Sequence, residues 1–493
     1  MLSIFDLKLS GPGCRVTRKL LLKLGIDPLK LLILFLRLHT KLQRTGKALR
    51  VWSKSIVGHN KLLLRAVSQL IEILDVVQDY RQLSETEILL KRDLKIRFLG
   101  LTAVEKLREK QRSRLNYIQA EEVNSKLFYF LMAGDGKTPY TRYKRLMGCV
   151  TCMRKKQMTH FGQPAQRDIT FNWNEISLGS RDLSRAHLED EFTEEEVHSV
   201  IQDIAGDKAP GPDGFIGIFY KQSWEIIKSD LMKAFEFFHQ QHDQHLSQLN
   251  TAHIVLIPKK PDAKTITDFW PISLTHSFGK LISKLLANRL APELNEMVSR
   301  AQSAFIKRRG IQDNFLYTQN LIKSLHRAKQ AGLFLKLDIA KAFDTVRWDY
   351  LLEVLQQFGF GSRWRGWVSA LLSSASTAIL LNGSRGNWFK HFAGLRKGDP
   401  LSPMLFILAM EPLQKLLDLA TSNGLLSPIN NRVAKLRTSL YADDVAIFLN
   451  PIKDEIHTVS GLLQMFGRVS GLVINRSKCA VYPIRCDGID LER

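Results

Sequence analysis

Two adjacent carboxylates, Asp443 and Asp444, interrupt the apolar run SLYADDVAIFL. Neighbouring residues of a strand face opposite sides, so an unbroken strand would drive one carboxylate into the core, where an unpaired charge is very costly. A turn near Ala442-Asp443-Asp444 removes the conflict. Both carboxylates then sit at a hairpin tip, while Leu440, Val445, Ile447 and Leu449 pack along the arms. Far upstream, Asp338 ends the apolar strand FLKLDIA (334–340), where a carboxylate emerges at a sheet edge. A hairpin beside that strand would converge three negative charges, which repel and raise one another's pKa unless cations neutralise them. Magnesium suits an all-oxygen site that also meets phosphate, with manganese as a substitute. Two such ions, roughly 3.5–4 Å apart, support in-line phosphoryl transfer: one activates an attacking hydroxyl, the other stabilises the departing group. Asp344, in the same stretch as Asp338, has a better explanation as the N-cap of the next helix.

Strands and helices alternate from about residue 253, which is what such a site needs for support. HIVLIPKK is a short strand ending in two lysines, and TAILLNGSRGNWFKHF carries Asn382-Gly383, the best local hairpin signal in the chain. In FGKLISKLLANRL, the residues Phe278, Leu281, Ile282, Leu285, Leu286 and Leu290 make one apolar stripe. Lys280, Lys284 and Arg289 fall outside it and are expected to face phosphates, as are Lys307, Arg308 and Arg309 in QSAFIKRRGIQDN. Between the acidic signals stands GLRKGDPLSPMLFIL, a Gly/Pro loop entering a helix. The ordered combination is far more informative than any four-letter motif alone.

The 493 residues carry 71 Lys and Arg against 48 Asp and Glu, a net charge of +23 that calls for a polyanionic partner, nucleic acid first. Residues 1–60 form a basic segment, either an arm for nucleic acid or a poorly ordered start. Residues 61–131 read as helical, with the basic run LREKQRSRL as a further RNA contact. Residues 132–190 read as a loose linker, and 191–252 as a helical extension with the loop DKAPGPDG. That extension opens on FTEEEVHSVI, where Thr193 and Glu196 form a capping box, so the acidic cluster there is helix-start chemistry. Five cysteines, odd in number and mostly scattered, argue against disulfides and for a reducing compartment. Cys149 and Cys152, with His160 nearby, lack the second ligand pair that a structural zinc needs. Charges at Lys23, Asp27, Lys30 and Arg37 break the most apolar stretch, so an intracellular, soluble chain without a membrane span is expected, nucleus or cytoplasm being open.

The ordered set IPKK, DFWPISL, QSAFIKRRGIQDN, LKLDIAKAFDTVRW, GLRKGDPLSP, YADD and GLVINRSK resembles the reverse transcriptase of non-LTR (LINE-type) retrotransposons, of the kind abundant in plant genomes. KAPGPDGFIGIFYKQSW and the stretch from RQLSETEILL to LREKQRSRL also resemble that family's polyprotein, so the likeness runs from about residue 50 to the end. The resemblance implies an α+β right-hand polymerase in residues 253–493: fingers, and a palm whose antiparallel sheet carries the metals, after a largely helical N-terminal region. It implies an RNA template, a DNA primer and deoxynucleoside triphosphates as partners. It makes Asp338 and Asp443 the principal metal ligands, with Asp444 assisting and the Ile339 carbonyl near one metal. Phe343 falls at the gate against the ribose 2′-hydroxyl, Lys259 at a triphosphate contact, and Gly398 beside the incoming nucleotide. Two departures stand out: Trp270 replaces the arginine that grips triphosphate, and Lys397 replaces a glutamine beside the sugar and base. The chain ends at Arg493, where the resemblance would place a thumb, so an absent or incomplete thumb is expected. These departures define an alternative, a catalytically inactive remnant that still binds nucleic acid.

Overall fold

The computed structural model describes residues 29–113, 167–176, 178, 185–206, 208–240, 246–258, 269–381, 384–429 and 436–486. Lys259, the Trp270 side chain, Asn382-Gly383, Cys149, Cys152 and His160 lie outside the described positions. The chain divides into two compact units, residues 1–148 with 201–231, and residues 149–200 with 232–493.

In the first unit, helix α1 (Leu29–Tyr80) and helix α2 (Glu85–Ser113) pack through Val67, Leu74 and Leu94, flanked by Ile71, Leu83 and Phe98. Residues 29–60 of the basic segment are helical, and Phe35, Leu38 and Leu42 in them are buried. A break at Arg81–Ser84 divides the run that reads as one helix. Ser84 and Glu87 form a capping box there, Glu87 Oε2 accepting from the Ser84 N–H at 2.8 Å, while the Arg81 guanidinium closes on the same carboxylate. Among the described residues no helix is long and apolar enough to cross a membrane.

The second unit is mixed α and β, and its helices and strands follow the alternation seen in sequence. Helix α3 (Glu194–Asp203) opens on the expected capping box, Thr193 N–H donating to Glu196 and Glu196 N–H to Thr193 Oγ1. Helix α4 is Trp224–Gln240, of which residues 224–231 belong to the first unit. Strands β1 (Thr251–Pro258) and β2 (Phe269–Thr275) precede helix α5 (Ser277–Leu290), whose six stripe residues are all buried to 1 % exposure or less. Helix α6 (Ile311–Arg327), strand β3 (Gly332–Asp338), helix α7 (Trp348–Gln357) and helix α8 (Ser362–Ser373) follow. The hairpin signal at 382–383 is framed by antiparallel β4 (Ser376–Leu381) and β5 (Ser384–Lys390). Helix α9 (Ser402–Ser422), strands β6 (Thr438–Tyr441) and β7 (Asp444–Leu449), helix α10 (Lys453–Ser470) and strand β8 (Ala480–Ile484) complete the described chain.

Two four-stranded sheets result, β2-β1-β4-β5 with β1 and β4 parallel, and β6-β7-β3-β8, antiparallel throughout. Against the loose-linker reading, Phe171, Ile176 and Leu178 are buried in this unit, Phe171 meeting Tyr350 edge to face at 6.1 Å. Apolar side chains at those positions have a core within reach, and burying each is worth roughly 1.5–3 kcal/mol.

Candidate active site

The acidic hairpin forms where the sequence places it. Strands β6 and β7 close on the pair Tyr441–Asp444, so the connection is the two residues Ala442 and Asp443, and Asp444 is the first residue of the returning strand. Two-residue connections favour residues tolerant of positive φ, yet Ala442 sits at φ 53°. A non-glycine residue in the left-handed region costs roughly 1–2 kcal/mol, so the tip needs support from elsewhere.

Asp338 is the last residue of β3 and pairs in register with Asp444. Its carbonyl accepts from the Asn475 N–H at 2.7 Å, and its own N–H faces the Cys479 sulfur at 3.4 Å, so both its main-chain groups point toward the β8 side. Asp338 and Asp444 are therefore a non-hydrogen-bonded pair, in which Cα atoms stand roughly 4.5 Å apart and side chains come closest. By alternation, the Ile339 carbonyl faces the β7 side, toward the hairpin. Asp443 lies beside both carboxylates. Partial burial, then the charges of Asp444 and Asp338, push its carboxyl above the ordinary 3.8, against its own backbone hydrogen bond and the Lys397 cation.

Two cations and an amide border the cluster. Asn475 Nδ2 donates to Asp338 Oδ2 at 3.1 Å, and Lys478 Nζ lies 3.9 Å from the same oxygen. Both come from GLVINRSK, a motif that identifies the family but to which spacing alone assigns no contact. Lys397 Nζ donates to Asp344 Oδ2 at 3.3 Å. Asp344 is thus not the N-cap of α7. It lies inside a short helical turn, Ala342–Thr345, and the α7 cap position belongs to Arg347, which offers no side-chain acceptor.

The loop carrying Lys397 is fastened to the segment after Asp338. Leu395 N–H donates to Phe343 O at 2.6 Å, Gly394 N–H to Val346 O at 2.8 Å, and Trp348 Nε1 to Gly394 O at 2.8 Å. Gly394 takes φ 82°, and a Cβ there would stand 2.6 Å from Asp344 O, so the approach requires glycine. Phe343 stacks on Phe406 with ring centroids 4.5 Å apart. Gly398, at φ 93°, faces Ser273 O on β2. Asp399 starts α9 by accepting from the N–H groups of Leu401 and Ser402.

The basic residues divide into two groups. Lys307 and Arg308 are exposed, and Lys280 and Lys284 are half-buried. Arg289 and Arg309 instead hold protein. Arg289 forms a bidentate pair with Glu196 at 2.8 and 2.7 Å, donates to the carbonyls of Leu188, Asp190 and Glu191, and lies 4.7 Å from the Phe192 ring centroid. Arg309 donates to the carbonyls of Asn295, Val298, Ser299 and Gln302. A basic side chain off an apolar stripe reads as solvent-facing; here the acceptors come from distant segments or a curled loop.

The oxygen donors of Asp338, Asp443 and Asp444 suit a hard divalent cation, and the raised Asp443 carboxyl marks a cluster that positive charge would relieve. Among the described residues, no three His, Cys, Asp or Glu side chains are already drawn together as a closed metal set.

The profile of the reverse transcriptase (RNA-dependent DNA polymerase) family matches residues 257–488. A transposon TX1 149 kDa protein of Xenopus laevis is 30 % identical over 309 residues, 62 % of this chain and 23 % of that protein. A Pol polyprotein from the type-1 retrotransposable element R2 of Nasonia vitripennis is 29 % identical over 240 residues, 48 % of this chain and 22 % of the relative. The RNA-directed DNA polymerase from the mobile element jockey of Drosophila melanogaster is 25 % identical over 239 residues, 47 % of this chain and 25 % of the relative. The chain thus spans a quarter or less of the length of these relatives. Residues 257–488, with Asp338 facing the acidic hairpin at their centre, form a reverse transcriptase domain of the kind carried by non-LTR retrotransposon polyproteins.

Proposed function

We propose that this chain adds deoxynucleotides to a DNA primer on an RNA template, at the open end of the β6-β7-β3-β8 sheet. The observation that carries the reading is the register of β3 and β7, which sets Asp338 directly against Asp444 with Asp443 at the adjoining tip. In this reading the antiparallel sheet is the palm, and the β2-β1-β4-β5 sheet with its flanking segments belongs to the fingers. Asp338, Asp443, Asp444 and the Ile339 carbonyl would hold magnesium. Bound there, the cations would acidify the primer 3′-hydroxyl and neutralise the triphosphate.

The chain's own residues do the placing. Asn475 fixes the Asp338 carboxylate, and the tie between residues 394–395 and 343–346 would set Phe343 and Lys397 in one wall of a nucleotide site. Phe343, braced on Phe406, would exclude a ribose 2′-hydroxyl. Lys307, Arg308, Lys280 and Lys284 would meet nucleic-acid phosphate, with Lys259 at the triphosphate. Primer extension on an RNA template with magnesium tests this. Incorporation that disappears in Asp443→Ala supports the reading, and incorporation that survives Asp443→Ala and Asp338→Ala sinks it.

The Lys397–Asp344 pair favours a second reading, a domain that holds RNA without synthesis, because a cation engaged there would stand where the resemblance puts an amide beside the nucleotide. Salt-sensitive RNA binding with no incorporation, restored by Trp270→Arg with Lys397→Gln, would select it.

A further inference from the structure

Gln302 is 1 % exposed and belongs to the loop between Val298 and Ala304, far in sequence from the acidic hairpin. Its Oε1 accepts from the Ala442 N–H at 3.0 Å and from the Ala304 N–H at 2.9 Å, and its Nε2 donates to the Ala442 carbonyl at 3.4 Å. One amide therefore engages both main-chain groups of the residue that holds positive φ beside Asp443. A side-chain amide offers that acceptor and donor together on adjacent atoms.

The surroundings make the grip firm. Leu440 N–H donates to Ala301 O at 2.8 Å and Ser303 N–H to Leu440 O at 3.1 Å, so residues 301–303 line the free edge of β6. Asn314 Nδ2 donates to Leu440 O at 2.7 Å and to Ser439 Oγ at 2.9 Å. Arg309 gathers the loop from Asn295 to Gln302 by its four carbonyls. The tip is thus held by a buried amide on a braced loop, while its own sequence lacks the glycine or asparagine that would take the turn unaided.

We propose that Gln302 is a positioning residue that locks the Ala442 backbone and so aims the Asp443 and Asp444 carboxylates; the consequence for synthesis rests on the polymerase reading above. Gln302 touches no reacting atom. Its role is the angle at which the carboxylates leave the sheet.

The test compares the full chain with Gln302→Leu, with Gln302→Asn, which withdraws the amide by one methylene, and with Gln302→Leu in an Ala442→Gly background. Three readouts are taken: deuterium exchange of peptides spanning 440–445, affinity for manganese alone by electron paramagnetic resonance, and single-nucleotide incorporation. Expected are loss of exchange protection confined to the tip and manganese affinity lowered at least fivefold. Incorporation should fall at least tenfold in kcat with nucleotide KM within about threefold, and Ala442→Gly should restore part of each loss, since glycine takes the left-handed conformation freely. A purely structural role would lower the unfolding midpoint without this pattern or the rescue. If Gln302→Leu does not fold, Gln302→Asn decides. Tip exchange and manganese affinity equal to the unmodified chain in a folded variant overturn the proposal. An unmodified chain that incorporates nothing, yet shows Gln302-dependent tip exchange, overturns the polymerase reading and leaves the positioning role standing.

Discussion

Replacing Glu411 by glutamine should stabilise the second unit at neutral pH and flatten its stability between about pH 4.5 and 7. Glu411 lies on α9 at 1 % exposure, against the loop that carries Ser299 and close enough to Arg309 to act on its charge. Burial raises its carboxyl from the ordinary 4.5 to about 7, with Lys415, whose Nζ is 4.0 Å away, and the nearby Ser299 opposing the rise. Below pH 4.5 folded and unfolded chains both carry the proton. As pH rises from there, the unfolded chain ionises first, so the folded state binds more protons and stability falls until the folded carboxyl also ionises near pH 7. The gap between 4.5 and about 7 corresponds to ~3 kcal/mol, with the opposing Lys415 charge already included in it. Glu411→Gln keeps the shape and removes the titration. Urea unfolding at pH 4.5, 5.5, 6.5 and 7.5, followed by a probe in the second unit, should show the native chain losing stability across the series relative to the variant. Parallel profiles for the two proteins would refute the reasoning, and so would a variant that is less stable at pH 7.5.

Arg289→Met should destabilise by ~3–5 kcal/mol, because it leaves Glu196 and three carbonyls without their shared partner, and it should leave the salt dependence of RNA binding unchanged; denaturant titration and binding across a salt series check both. Lys307→Ala and Arg308→Ala should do the reverse, each lowering the logarithmic salt slope by about 0.7 on single-stranded RNA with little change in unfolding midpoint. Gly394→Ala should disturb the 343–346 segment, since φ 82° and a Cβ 2.6 Å from Asp344 O cannot both be accommodated; the expected loss is at least ~2 kcal/mol, read by thermal unfolding. Lys397→Gln should change stability by less than ~1 kcal/mol, because the Lys397 side chain is 41 % exposed, while lowering the nucleotide KM.

What the sequence disclosed was whatever short-range pattern controls. The α5 stripe, the Thr193–Glu196 capping box, the strand ending at Asp338 and the hairpin around Ala442 each follow from spacing within a dozen residues, and the structure places all four accordingly. Asp344 shows where that logic stops. Its position before a helix reads as a cap, but Lys397 arrives from another loop and takes the carboxylate, while the helix starts at Arg347 without a side-chain acceptor. Arg289 is the same case with opposite sign, a cation apparently bound for solvent whose acceptors gather from residues 188–196. The segment around Phe171 reads as a loose linker because a ring it packs against, Tyr350, is distant in sequence.

The hairpin tip joins these two kinds of information. Between β4 and β5 the sequence reads Asn-Gly at 382–383, a pair whose local preference alone favours a two-residue turn. At the acidic tip it uses Ala-Asp, which local preference disfavours, and completes the turn with Gln302 from another segment. A glycine there would make the turn easily and would also widen the range of directions open to the next residue. Alanine at φ 53° has a narrow well, and a buried amide bonded to both its main-chain groups narrows it further. Conflict between local preference and observed conformation is expected where geometry matters more than stability. In this domain that conflict stands one residue before Asp443, next to the carboxylates whose mutual placement phosphoryl transfer would depend on.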